Sequence, residues 1–255
     1  MAEFYDGFGF DMSGLSIRYG KQRGEPKYKD IAVLTEKRIR DKKVDELVKE
    51  FIKQKETTGF FAPDDNIYIN KMFGKVFTID DMEIYHTFFE NLNANLTSSE
   101  GKSSGGIVMR SVYKTVLDYY GRFDGDQKKR YKLTSSTFDN DDNFVVPSIK
   151  ELKGQNAAAC VEYASLAHNL WLLAGVTSHY VLSKDTNFQG SSEGHAFVIV
   201  EYGEKFRLFD IAQEIGGPLN GNPIKDIKNG KPLIVNNMVY ANASKAKTIS
   251  QDSGK

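Results

Sequence analysis

With 255 residues, 40% of them hydrophobic and 12% aromatic, the chain has enough apolar surface to bury a substantial core in one or two domains. Its 34 Lys and Arg balance 34 Asp and Glu, and no clustered basic face stands out. Nucleic acid is therefore not expected as the main partner, since neutralising phosphates needs clustered cations. No stretch of ~18 apolar residues offers a membrane span. The opening Met1-Ala2-Glu3-Phe4-Tyr5-Asp6 does not read as a Sec leader. A single cysteine cannot close an internal disulfide, so a cytoplasmic, reducing compartment is expected, with export by a signal-less route left open.

In chain order, residues 1–27 are rich in Gly and aromatics (Phe4, Tyr5, Phe8, Phe10, Tyr19) and suggest an irregular arm. The spacing of Ile39, Val44, Leu47, Val48 and Phe51 predicts a charged amphipathic helix from Thr35 to Lys55. Pro63 to Phe77 reads as loop with short extended segments. A second helix is expected from Thr78 to about Leu96, with acids in its first turn. After a Ser/Gly-rich break at 97–106, a third runs from Ile107 to Tyr120 and a short fourth over 124–132. The Asp/Asn-rich segment 133–147 predicts an exposed loop. This organisation gives a mainly helical N-terminal region over 1–132, possible as a lobe of the same domain, a core over 133–240, and a polar, disordered tail over 241–255.

The core opens with Ala157 to Gly175, in which Ala159, Tyr163, Leu166, Leu170 and Leu173 recur at helical spacing and Gly175 supplies a stop. Asn156 is the expected N-cap, which puts Cys160 in or near the first turn. There the partial positive charge of the helix terminus favours thiolate over thiol. Val176 to Ser183 reads as a strand, Lys184 to Gly194 as a polar loop, and His195 to Tyr202 as a second strand. A tight turn at Gly203-Glu204 then leads into a third strand, Phe206 to Asp210. With the turn placed there, His195 falls opposite a position near 212, within a residue or two of Asp210. Cross-strand neighbours lie ~5 Å apart and diagonal ones ~7–8 Å, so the two side chains can meet at the open end of the hairpin. Asp210 would orient the imidazole of His195 while its other nitrogen faces Cys160, the arrangement of orienter, base and nucleophile.

The pieces Cys160-Val161-Glu162-Tyr163-Ala164, Gly194-His195-Ala196-Phe197-Val198 and Leu208-Phe209-Asp210, in this order, resemble the core of the transglutaminase-like superfamily over about residues 150–215. The resemblance implies an α+β fold of papain-like architecture, with the cysteine at a helix N-terminus packed on an antiparallel sheet. It implies Cys160 as nucleophile, His195 as general base and acid, and Asp210 as orienter. One departure is Ala158, where the family often has Gly.

Gln155, five residues before the cysteine, is a candidate oxyanion donor beside the backbone N–H of Cys160, with Asn156 a weaker one. Gln213 could hydrogen-bond within the site. Glu162 is expected to face solvent or pair with a Lys; His86, His168 and His179 are expected to be structural. No cofactor is expected. The chain lacks a His-x-x-x-His pair, Asp139, Asp141 and Asp142 lack the spacing of a calcium loop, and Ser103 to Gly106 lacks the phosphate-loop Lys.

The expected function is thiol-dependent acyl transfer on peptide or glutamine carboxamide bonds of a protein or peptide substrate. A cysteine protease or amidase is favoured over a transglutaminase. The alternatives are a toxin-like glutamine deamidase and a non-catalytic binding module that keeps the fold.

Overall fold

The computed structural model describes residues 59–60, 67–70, 83–97, 104–134, 149–188, 191–202 and 204–242. The expected arm over 1–27, the helix from Thr35 to Lys55 and most of the loop 133–147 lie outside these residues. The elements, in order, are β1 (Gly59–Phe60), β2 (Ile67–Asn70), α1 (Glu83–Thr97), α2 (Ser104–Tyr120), α3 (Gln127–Thr134) and α4 (Ile149–Leu152). They continue with α5 (Cys160–Leu173), β3 (Ser178–Phe188), β4 (Ser191–Tyr202), β5 (Lys205–Asp210), β6 (Ile215–Leu219), α6 (Pro223–Lys228), β7 (Leu233–Val235) and β8 (Met238–Ala241). This is an α+β fold with an antiparallel sheet.

The sheet runs β1-β2-β3-β4-β5-β6, with every neighbouring pair antiparallel. Alternation along the strands sends Ala196, Val198 and Val200 into one core and Phe197 and Ile199 into another, the period of two expected of a sheet covered on both faces. The first core also holds Ile84, Phe88 and Leu92 of α1, Val108, Val112 and Val116 of α2, and Leu166, Leu170 and Trp171 of α5. The second is closed by Ile224 and Ile227 of α6, Leu233 of β7 and Tyr240 of β8. Side-chain amides tie the first two helices together, Asn91 donating to Thr115 Oγ1 and Asn95 to Ser111 Oγ, both at 2.9 Å.

Sequence expectation and structure differ at several points. The segment 184–194 is not simply a polar loop: β3 extends to Phe188 and β4 starts at Ser191, with an irregularity between Ser183 and Thr186. Pairing supplies what local propensity lacks, because β3 also takes β8 as a neighbour at Asn187 and Val239. The loop-rich stretch after residue 215 contains β6 and α6, the latter capped by Asn222, whose side chain accepts from the Lys225 N–H at 2.9 Å. β2 falls within Pro63 to Phe77, where short extended segments were expected, and pairs with β3. Lastly, Ala241 does not begin a disordered tail: it ends β8 and is fully buried, while residues 243–255 lie outside the described residues.

Candidate active site

Cys160 is the first residue of α5 and is half-buried. The N-cap is not Asn156 but Ala159, in extended conformation (φ −125°, ψ −165°). Alanine has no side chain with which to cap. The work falls to Glu162, whose Oε2 accepts the Ala159 N–H at 2.8 Å, the backward half of a capping box. Glu162 is therefore neither solvent-facing nor paired with a lysine. It is fully buried and held by both guanidinium nitrogens of Arg130 on α3, at 2.9 and 3.1 Å. The same Arg130 Nη1 donates to the Ala157 carbonyl at 2.8 Å.

The turn before Cys160 is fastened to the end of α2. Gly154 N–H donates to Tyr119 O at 2.7 Å, Asn156 N–H to Tyr120 O at 3.0 Å, and Asp124 N–H to Asn156 O at 3.0 Å. From α5, the Tyr163 hydroxyl donates to Gly121 O at 2.7 Å, and burial pushes its phenol up to about 12. Gly121 sits where these bonds converge, at φ +71°, and a Cβ there would lie 1.7 Å from Asn156 Oδ1. Gly121→Ala thus combines left-handed strain with a collision against the turn that delivers the thiol. It is expected to cost roughly 2 kcal/mol or more in urea unfolding, and Gly121→Ser should fare no better. A neutral Gly121→Ala would show that the turn is free to move.

His195 and Asp210 come from neighbouring strands. The register Val198↔Phe209 to Tyr202↔Lys205 closes the hairpin over two residues, as expected, and its continuation leaves His195 diagonal to Asp210. Their side chains meet: His195 Nε2 lies 2.7 Å from Asp210 Oδ2, with both residues almost fully buried. With Nε2 engaged, Nδ1 is the ring nitrogen left for Cys160, whose side chain bears on the ring. Burial alone would push the imidazole down. The hydrogen bonds to Asp210 and Cys160, with the charges of both, outweigh it and push His195 up from 6.5 to about 10. An imidazolium facing sulfur is the condition that favours thiolate.

Asp210 is held on its other oxygen as well, Oδ1 accepting the Gln213 N–H at 3.2 Å. Gln213 thus enters the site through its backbone. Tyr240 was missed at the level of sequence. Its ring lies 6.1 Å from that of His195 and 5.2 Å, edge-on, from Phe197. Burial, then the charge of Asp210, raise the Tyr240 phenol well above its ordinary value. β8 carries this residue in, anchored where Thr186 Oγ1 donates to Tyr240 O at 2.9 Å. A usable signal existed: Asn236-Asn237 separates two apolar runs, and both asparagines adopt positive φ (50° and 62°), the pattern of a two-residue hairpin turn.

The remaining candidates lie elsewhere or make other bonds. Gln155 is exposed in the turn before Ala157, its N–H donating to Leu152 O at 3.1 Å. Ala158 is fully buried in the first core. His168 Nδ1 lies 2.8 Å from Ser178 Oγ, His179 Nε2 3.0 Å from Glu201 Oε2, and His86 is half-buried on α1. Among the described residues, no group of three or more His, Cys, Asp or Glu is placed to hold a metal ion, and no helix is long and apolar enough to cross a membrane. Comparison with known protein families finds no matching family, and comparison with curated proteins finds no matching sequence.

Proposed function

We propose that the chain is a thiol enzyme of transglutaminase-like, papain-like architecture that transfers acyl groups from peptide or glutamine carboxamides, with hydrolysis as the favoured outcome. One observation carries it: the His195 imidazole lies 2.7 Å from the Asp210 carboxylate, and Cys160, the first residue of α5, bears on the same ring.

The steps follow from that geometry. The Cys160 sulfur attacks the carbonyl carbon, and the carbonyl π electrons move onto oxygen. The Cys160 N–H, an unsatisfied donor at the helix start, is placed to stabilise that charge, with Gln155 as the candidate second donor. Collapse breaks the C–N bond, the leaving amine or ammonia takes the proton from His195, and a thioester remains. Neutral His195 then draws a proton from water, whose oxygen attacks the thioester. The acid leaves and the thiol is restored. An amine in place of water would give transamidation, and a glutamine side chain as substrate would give deamidation.

The test begins with iodoacetamide at pH ~6, where an activated thiol reacts far faster than an ordinary one. Cys160 should alkylate rapidly, and His195→Ala should slow it by about tenfold or more. Incubation with glutamine-bearing proteins, with and without a primary amine, followed by mass spectrometry, then separates cleavage, deamidation and amine adducts. A thiol inert at this pH, unaffected by His195→Ala, would mark a non-catalytic module instead.

A further inference from the structure

The residues in front of Cys160 are held by a second charged device, Arg130 with Glu162, that the acyl-transfer steps do not use. Glu162 is fully buried, and Arg130 is 17% exposed. Glu162 Oε2 takes both the Ala159 N–H and Arg130 Nη1, Oε1 takes Arg130 Nη2, and Arg130 Nη1 also reaches the Ala157 carbonyl. The extended stretch 157–159 is thereby stapled on both sides, one bond to its carbonyl and one to its N–H, immediately before the residue that bears the thiol. Arg130 arrives from α3, where Lys128 and Lys132 are exposed. The planar fork can serve two acceptors at once, which a lysine ammonium does less well.

We infer that Arg130 and Glu162 are positioning residues that fix the aim of Cys160 and balance the charge beside its sulfur, a role resting on the thiol-enzyme proposal. A carboxylate bonded to the Ala159 N–H, one residue before the thiol, would repel a developing thiolate, and the guanidinium paired with it would cancel that repulsion. The other charged groups that bear on the thiol are His195 from β4 and, behind it, Asp210 from β5. Arg122, exposed on the segment after α2, is paired with Glu214 in the loop beyond Asp210. Tyr163, next along α5, is bound to Gly121. Each charge of the Arg130–Glu162 pair should therefore move the reactivity of Cys160 in its own direction.

The experiment measures the rate of Cys160 alkylation by iodoacetamide from pH ~4 to ~9 in the full chain, for wild type, Arg130→Gln, Glu162→Gln and the double variant. Arg130→Gln leaves a negative charge uncompensated and should displace the acid limb upward, slowing alkylation at pH ~5 by about fivefold or more. Glu162→Gln keeps an oxygen for the Ala159 N–H, leaves the positive charge, and should displace the limb downward by a similar factor. The double variant should return close to wild type, because the two charges act on each other. A merely structural pair would slow both single variants, and that result overturns the inference. Should Arg130→Gln fail to fold, Glu162→Gln decides alone: faster alkylation in acid sustains the role, unchanged or slower alkylation ends it. A wild-type thiol with an ordinary profile overturns the thiol-enzyme proposal and this role together. Acid-reactive wild type with unshifted variants overturns only the role of the pair.

Discussion

Asp210→Asn is expected to cut turnover by about 10³-fold to 10⁴-fold, and the alkylation rate at pH ~6 by about 10²-fold. The carboxylate receives the His195 ring on one oxygen and the Gln213 N–H on the other, with the Tyr240 ring packed beside that imidazole. An asparagine offers one acceptor oxygen to these donors, so an amide NH₂ must confront at least one of them. Either the imidazole loses its orienter or the 210–213 turn is disturbed. The buried imidazolium also loses its countercharge, and desolvation then drives it toward the neutral form.

The same substitution should change how stability depends on pH. The folded-state value of His195, about 10, lies above its ordinary 6.5, so its contribution is complete below ~6.5 and disappears as pH rises through 10. Wild type should therefore lose stability across that window more steeply than Asp210→Asn, as urea midpoints at pH ~6, ~8 and ~10 would show. Parallel curves would mean that His195 is not charged in the folded protein. Retention of a tenth of wild-type reactivity by the variant would leave Asp210 a packing residue only.

Trp171→Ala should be among the most destabilising single changes, costing about 3–5 kcal/mol by chemical denaturation. Trp171 is 1% exposed near the end of α5, and its ring meets Phe209 edge-on at 5.5 Å and 88°. Phe209 precedes Asp210 on β5, so this contact joins the helix that bears the thiol to the strand that bears the orienter. Beyond the lost area, the change leaves a cavity between helix and sheet, which close-packed neighbours fill only partly. Trp171→Phe should cost less than half as much and keep the alkylation profile. A cost below ~1 kcal/mol for Trp171→Ala would show that helix and sheet are held together elsewhere.

What the sequence disclosed was mostly local. Gly175 ends α5 at φ +82°, with Val176 N–H returning to Trp171 O at 3.0 Å, and one glycine announces that stop. The β4–β5 turn was equally legible, and the register that brings His195 near Asp210 follows from it. Glu162 was misplaced because its partner Arg130 lies 32 residues away, and only packing shows that a first-turn glutamate is buried. The polar run from Lys184 to Gly194 looked like a loop because its local pairs, Thr186↔Glu193 to Phe188↔Ser191, lack apolar alternation, and its neighbour β8 lies more than 50 residues on. Tyr240 was missed for the same reason.

Thr186 and Tyr240 have a consequence for synthesis. A nascent chain that has emerged only as far as α6 already carries the sulfur, the imidazole and the carboxylate, but not the phenol that lies against them. The half-made protein leaves its histidine–aspartate couple open to water on that side. Emergence of β8 is the step that sets the Tyr240 ring beside His195.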